Sequence, residues 1–159
     1  MPSVFDPDWA DRDVPGLEGR LARVGAQAGA QRLGATLYEI APGAAGSPLH
    51  AHHANEELIV VLAGSPTLRT PEGHRQLVAG EVVACPVGRH GAHQLLNKSA
   101  EPVRVLIVST MVYPDIVEMP DSNKVLAQSA PPDSDDRLAL AFPRDAAVDR
   151  LSGELPLEA

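Results

Sequence analysis

The chain has a single cysteine, Cys85, in 159 residues. An internal disulfide framework is therefore excluded, and the lone thiol fits a reducing, cytoplasmic setting. No apolar run approaches the roughly 20 residues that a membrane helix needs, so no membrane partner is expected. The opening residues, Met1-Pro2-Ser3-Val4-Phe5-Asp6, lack the basic and apolar regions of a secretory leader, and none is expected. Aromatic residues make up 3% of the chain against 44% hydrophobic, which leaves Ala, Val and Leu to fill a core. Basic residues are also scarce. Thirteen Lys and Arg face 21 Asp and Glu, a net charge of −8 that argues against nucleic acid as a partner.

What charge there is sits unevenly. Residues 1–34 and 35–113 each sum to −1, whereas residues 114–159 carry four basic and ten acidic side chains, or −6. That C-terminal extension, residues 113–159, reads as solvated and acidic. Fifteen Pro and thirteen Gly interrupt the chain too often for long helices and suit short strands joined by turns. Residues 1–34 are expected to form an arm pinned by Trp9, with a short helix somewhere in Arg20–Gly34. Strands are expected at Thr36–Ile40, Glu57–Leu62, Pro66–Thr70, Arg75–Val78, Glu81–Cys85, His93–Leu96 and Val103–Val112. Their number and spacing predict an all-β antiparallel sandwich or barrel over residues 35–112. Beyond it, Tyr113-Pro114-Asp115 is expected to leave the core and Ser129–Asp136 to act as a flexible linker. Two short amphipathic pieces, Arg137–Phe142 and Asp145–Leu151, are expected to follow.

All six histidines fall between residues 50 and 93. In an extended segment His50 and His52 share a face, because successive side chains alternate. Neutral imidazole is a common ligand for transition metals. The segment His53-Ala54-Asn55 can bend the chain and bring the Glu57 carboxylate round, and His93 can close the set from a distant hairpin. Three imidazoles and one carboxylate suit a divalent first-row metal (Mn, Fe, Co, Ni or Zn) and leave up to two octahedral positions open. His53 and His74 read as surface residues and Cys85 as a small core residue. Strand parity leaves open whether Tyr38 or Cys85 faces the interior.

The frame around these residues resembles a known family. Gly43-Ala-Ala-Gly-Ser-Pro-Leu-His50-Ala-His52-His-Ala-Asn-Glu-Glu57, followed by Gly64, is similar to the first cupin motif. Gly80, Pro86-Val-Gly88, His93 and Asn97 are similar to the second. Six residues rather than five separate Gly43 from His50, and four rather than two separate Gly88 from His93. His90 is thus a rival to His93, and Glu56 to Glu57. His93 is preferred because it keeps a four-residue offset to Asn97, and Glu57 because it lies seven residues before Gly64.

The resemblance covers residues 35–112 and implies a single cupin, a jelly-roll-like double-stranded β-helix, with irregular N- and C-terminal extensions. It implies metal ligation by His50, His52, Glu57 and His93, and a small-molecule ligand. It also implies an isomerase-like metalloenzyme of the sugar-phosphate isomerase-like group acting on a small polar metabolite. The alternatives are an iron-dependent dioxygenase and a metal-dependent binding protein without turnover. A homodimer is expected, since a sheet face rich in Ala, Val and Leu can be hidden against a second copy.

Overall fold

Turn residues decide where the strands of this chain stop. Ala63 runs into Gly64, whose φ of 79° lies where a Cβ is strained; a Cβ there would also stand 2.7 Å from a Val103 methyl. The computed structural model describes residues 1–132 and 134–154. Its strands are β1 (Ala10–Arg12), β2 (Gly19–Ala22), β3 (Gly34–Ile40), β4 (Ala51–His52), β5 (Glu57–Ala63), β6 (Thr67–Thr70) and β7 (Gly73–Gln76). They continue with β8 (Val82–Cys85), β9 (Gln94–Leu96), β10 (Val103–Ser109), β11 (Asp115–Met119), β12 (Lys124–Gln128) and β13 (Ala139–Pro143). All paired strands among the described residues are antiparallel.

Three sheets result. The largest runs β1-β2-β3-β10-β5-β8, the second β13-β12-β11-β4, and the third β7-β6-β9. Period-two alternation builds the interior between them. Ile59 and Val61 of β5 and Val103 and Val105 of β10 are fully buried, while Leu58 and Leu62 point outward. On β3 the two faces serve different layers. Tyr38 and Ile40 join the barrel core, whereas Leu37 packs outward with Ala22, Val24 and Trp9 under the N-terminal arm. Trp9 does pin that arm, with the Arg20 guanidinium 4.9 Å and that of Arg104 5.3 Å from its ring.

The extensions are more regular than the sequence suggests. The arm adds β1 and β2 to the edge of β3, and its helix, α1, is one turn, Val24–Gln27. Asp115 does not leave the core; it is 1% exposed and opens β11, which pairs with β4. The expected linker is the connection between β12 and β13, closed by Ser129 N–H donating to the Leu138 carbonyl. Asp133 of that stretch lies outside the described residues. Of the two amphipathic pieces, the first overlaps β13, and the second begins inside a 3-10 turn at Arg144–Ala146, both exposed. The reason is non-local: β11 and β12 pair with each other, β11 also with β4 and β12 with β13, a gain invisible in any one segment. No helix among the described residues is long and apolar enough to cross a membrane.

Candidate metal centre

The site forms where two distant segments meet. His50 and His93 face each other in an isolated antiparallel bridge, with His50 N–H donating to His93 O at 3.2 Å and the reverse bond at 2.9 Å. His52 ends β4, two residues from His50 on the same face. Residues 53–56 turn the chain, so that Glu57 opens β5 opposite Cys85, the last residue of β8. The ligand atoms of His50, His52 and Glu57 lie within 4.8 Å of one another. Glu57 Oε2 is 3.9 Å from His50 Nε2, 3.8 Å from His52 Nε2 and 3.1 Å from His93 Nε2.

Each ring is oriented by what its other nitrogen touches. His50 Nδ1–H donates to the Pro48 carbonyl at 2.9 Å, and His93 Nδ1–H to the Gly91 carbonyl at 2.9 Å. His52 Nδ1–H donates to Asp115 Oδ2 at 2.5 Å. A carbonyl or carboxylate oxygen can only accept, so each ring carries a proton on Nδ1 and turns its Nε2 toward Glu57. His93 Nε2 is buried and has no hydrogen-bond partner; its contact with Glu57 is close but off the hydrogen-bond direction. Three Nε2 atoms and one carboxylate thus face one another in the interior, an arrangement that a divalent cation can satisfy once the rings are neutral. The donor set therefore fits a metal ion.

Asp115 is the supporting carboxylate. Besides His52 it accepts from Ala54 N–H and from Asn55 Nδ2, each at 2.9 Å. Burial alone would raise its pKa, but these hydrogen bonds hold it below the usual carboxylate range. Asn55 is itself buried and also donates to the Val112 carbonyl, tying the turn after His52 to the strand end after β10. Sequence reasoning missed both residues as parts of the site. The available signal was an acid set directly against the apolar pair Ile116-Val117, a position where a solvated charge is out of place.

The other histidines lie elsewhere. His90 is exposed on a 3-10 turn, Arg89–Gly91. His53 Nε2 contacts Glu118 at 3.0 Å on the surface, and His74 is exposed on β7. Glu56 is exposed as well. Cys85 is buried beside His93, in the core. The 3-10 turn is possible only because residue 91 is glycine: a Cβ there would stand 1.7 Å from the Pro86 carbonyl oxygen. Since the Gly91 carbonyl also orients His93, Gly91→Ala is expected to cost more than about 2 kcal/mol in urea unfolding. An unchanged midpoint would refute that account.

Above the four side chains opens a cavity of about 480 Å³. Its walls include Ile40, Leu95, Val105 and Ile107 from the barrel, and Pro131 and Ser134 from the β12–β13 connection. Tyr38 lines it, which settles its direction, and burial first and Glu57 second raise its pKa. Its hydroxyl therefore stays protonated at neutral pH and can donate to a ligand oxygen.

The cage is electrically uneven. Burial, then the neighbouring His93 and His52, pushes His50 down to about 4, so it is neutral and ready to ligate. Burial opposes a charge on His93 too, but Cys85 and Glu57 outweigh it and raise His93 to about 10. Glu57 is held low by the three rings despite its burial. In the metal-free protein the His93 charge thus stabilises the fold most below its unfolded value of 6.5, and that contribution is lost as pH rises through about 10. Glu57 contributes above its unfolded value of 4.5 and loses this as pH falls. Since a ligating imidazole must be neutral, metal uptake at pH 7 should release about one proton, from His93. Titration calorimetry in buffers of different ionisation enthalpy reads this directly; a slope near zero would contradict it.

Comparison with known proteins places these features in a family. Residues 36–109 match the family model of the cupin domain. No curated protein matches the chain by sequence. Among solved structures, a cupin-superfamily sugar phosphate isomerase from Silicibacter pomeroyi superposes with a TM-score of 0.79 at 23% identity, covering 92% of this chain and 94% of that one. A proposed sugar phosphate isomerase from Acidithiobacillus ferrooxidans gives 0.76 at 24% identity, over 84% and 81%. The polyketide cyclase RemF from Streptomyces resistomycificus gives 0.56 at 26% identity, over 69% and 78%. The two isomerase structures establish likeness of fold.

Proposed function

Residues 36–109 are a cupin domain, and from that premise we propose that His50, His52, Glu57 and His93 hold one divalent first-row metal ion, at which the protein binds and transforms a small metabolite. The observation that carries this is the buried, unpartnered Nε2 of His93, facing Glu57 beside two further Nε2 atoms whose rings are set by Nδ1–H donation. Left without a metal, that arrangement keeps a proton on His93 against the Glu57 carboxylate, and a divalent ion would take that proton's place. The bound ion would act as a Lewis acid on a ligand carbonyl or hydroxyl.

The chain's own groups set what happens around it. Asp115 holds the His52 ring in one tautomer and orientation. Tyr38, protonated in the cavity wall, can donate a hydrogen bond to a ligand oxygen and hold a proton there. The hydrophobic walls limit water around the bound molecule. The names of the fold relatives offer a sugar phosphate and a polyketide as candidate substrates, both compatible with carbonyl or hydroxyl chemistry of an isomerase-like kind.

The test is elemental analysis of protein purified without added metal, then titration of chelator-treated protein with Mn, Fe, Co, Ni and Zn. One equivalent of ion per chain, with a raised melting temperature, is expected. Failure of every ion to bind, or binding unaffected by loss of Glu57, would end this reading.

A further inference from the structure

We infer that the cavity over the metal site selects a small, largely apolar ligand bearing a metal-chelating pair of oxygens, and disfavours phosphorylated ones. This rests on the metal reading above and narrows it to a substrate class.

The charge of the site carries the argument. Glu57 and the Asp115 carboxylate bonded to His52 bring two negative charges to the site, which would already balance a divalent ion. A phosphate monoester brings about −1.5 to −2 more at neutral pH. Burying such a charge is costly unless cations or several donors are aimed at it. Four basic side chains of the barrel are paired away from the cavity. Arg69 pairs with Asp121, Arg75 with Glu81, Arg89 with Glu118 and Arg104 with Glu39, and none of the four lines the cavity. Among the described lining residues Arg23 alone is a Lys or Arg, exposed just before α1. It and Arg12, which donates to the Gly46 carbonyl with its guanidinium 5.9 Å from the Tyr38 ring, act on Tyr38. No Lys or Arg pairs with Glu57 among the described residues.

The walls point the same way. Ile40, Leu95, Val105 and Ile107 line the cavity together with the cage and Tyr38. A volume near 480 Å³ holds a ring-sized apolar body with room for its chelating head. The lining also carries Thr36, Ser47, Ser109 and Gln128, so a sugar ring would leave unpaired those of its hydroxyls that face these apolar residues. Four protein ligands leave up to two octahedral positions, which suits two adjacent oxygens of one ligand.

Two probes with the same 2-oxo acid head separate the alternatives: phenylpyruvate, with an apolar body, and 3-phosphonopyruvate, with an anionic one. Ribose 5-phosphate serves as the sugar phosphate. Calorimetry on the zinc-loaded full chain should show phenylpyruvate binding at least about tenfold tighter than either phosphorylated probe. Zinc-free protein should lose that binding. Replacing half-buried Met111 of the lining, as Met111→Lys, should narrow the gap by strengthening phosphonopyruvate at least about threefold. Equal or tighter binding of phosphonopyruvate or ribose 5-phosphate would overturn the inference while leaving the metal centre intact. So would zinc-loaded protein that binds none of the three. Protein that takes up no zinc would instead remove the metal reading, and this inference with it.

Discussion

Alanine at His50, His52 or His93 should yield folded protein with less than about a tenth of the normal metal content, whereas His53→Ala, His74→Ala and His90→Ala should keep theirs. The cage explains the division. The first three rings present Nε2 toward Glu57, each fixed by an acceptor at Nδ1. His53 instead pairs with Glu118, and His74 and His90 are exposed. Deleting one of four ligands removes a bond that carries both affinity and geometry, and water in its place is a poorer donor than imidazole. His90→Ala against His93→Ala is the most informative pair, because the two lie in one loop and compete for the same role. Metal lost from His90→Ala and kept by His93→Ala, measured by elemental analysis after desalting, would invert the assignment.

Asp115→Ala should be the most damaging single change outside the ligands themselves. The carboxylate is 1% exposed and accepts from three donors, His52 Nδ1, Ala54 N and Asn55 Nδ2. Its removal strands all three in the interior at about 1–3 kcal/mol per group before relaxation. Because they share one acceptor the costs do not add fully, and a net loss of about 3–5 kcal/mol is expected in urea unfolding of the metal-free protein. Metal affinity should fall by about 10- to 100-fold, since the His52 ring loses the partner that fixes its tautomer. Asp115→Asn separates the two effects. It keeps the volume and one acceptor oxygen, so it should recover part of the stability while affinity stays reduced. A wild-type affinity in both variants would show that Asp115 only holds the turn together.

Much of this molecule was legible along the chain. Gly64, Gly80 and the Pro86–Gly88 pair mark strand ends, and alternation in Glu57–Ala63 and Val103–Ser109 separates inward from outward residues. The His50-Ala51-His52 spacing put two imidazoles on one face for the same period-two reason. Those features depend on neighbours within a few residues, and a linear sequence displays such neighbours directly.

Other features depended on segments that meet only on folding. His93 rather than His90 enters the cage because a 3-10 turn leaves Arg89 and His90 exposed and the backbone of His93 bridges to His50, 43 positions earlier in the numbering. Asp115 reaches His52 across 63 residues, and it could be read as leaving the barrel because Tyr113-Pro114 looks like an exit and the charge of the tail looks solvated. Pro131 and Ser134, in a stretch with the composition of a linker, form cavity wall because β12 and β13 pair on either side of them. Composition and periodicity encode which faces a segment buries. They do not encode which distant segment covers each face, since that choice is set by ladder pairing and burial summed over the whole fold.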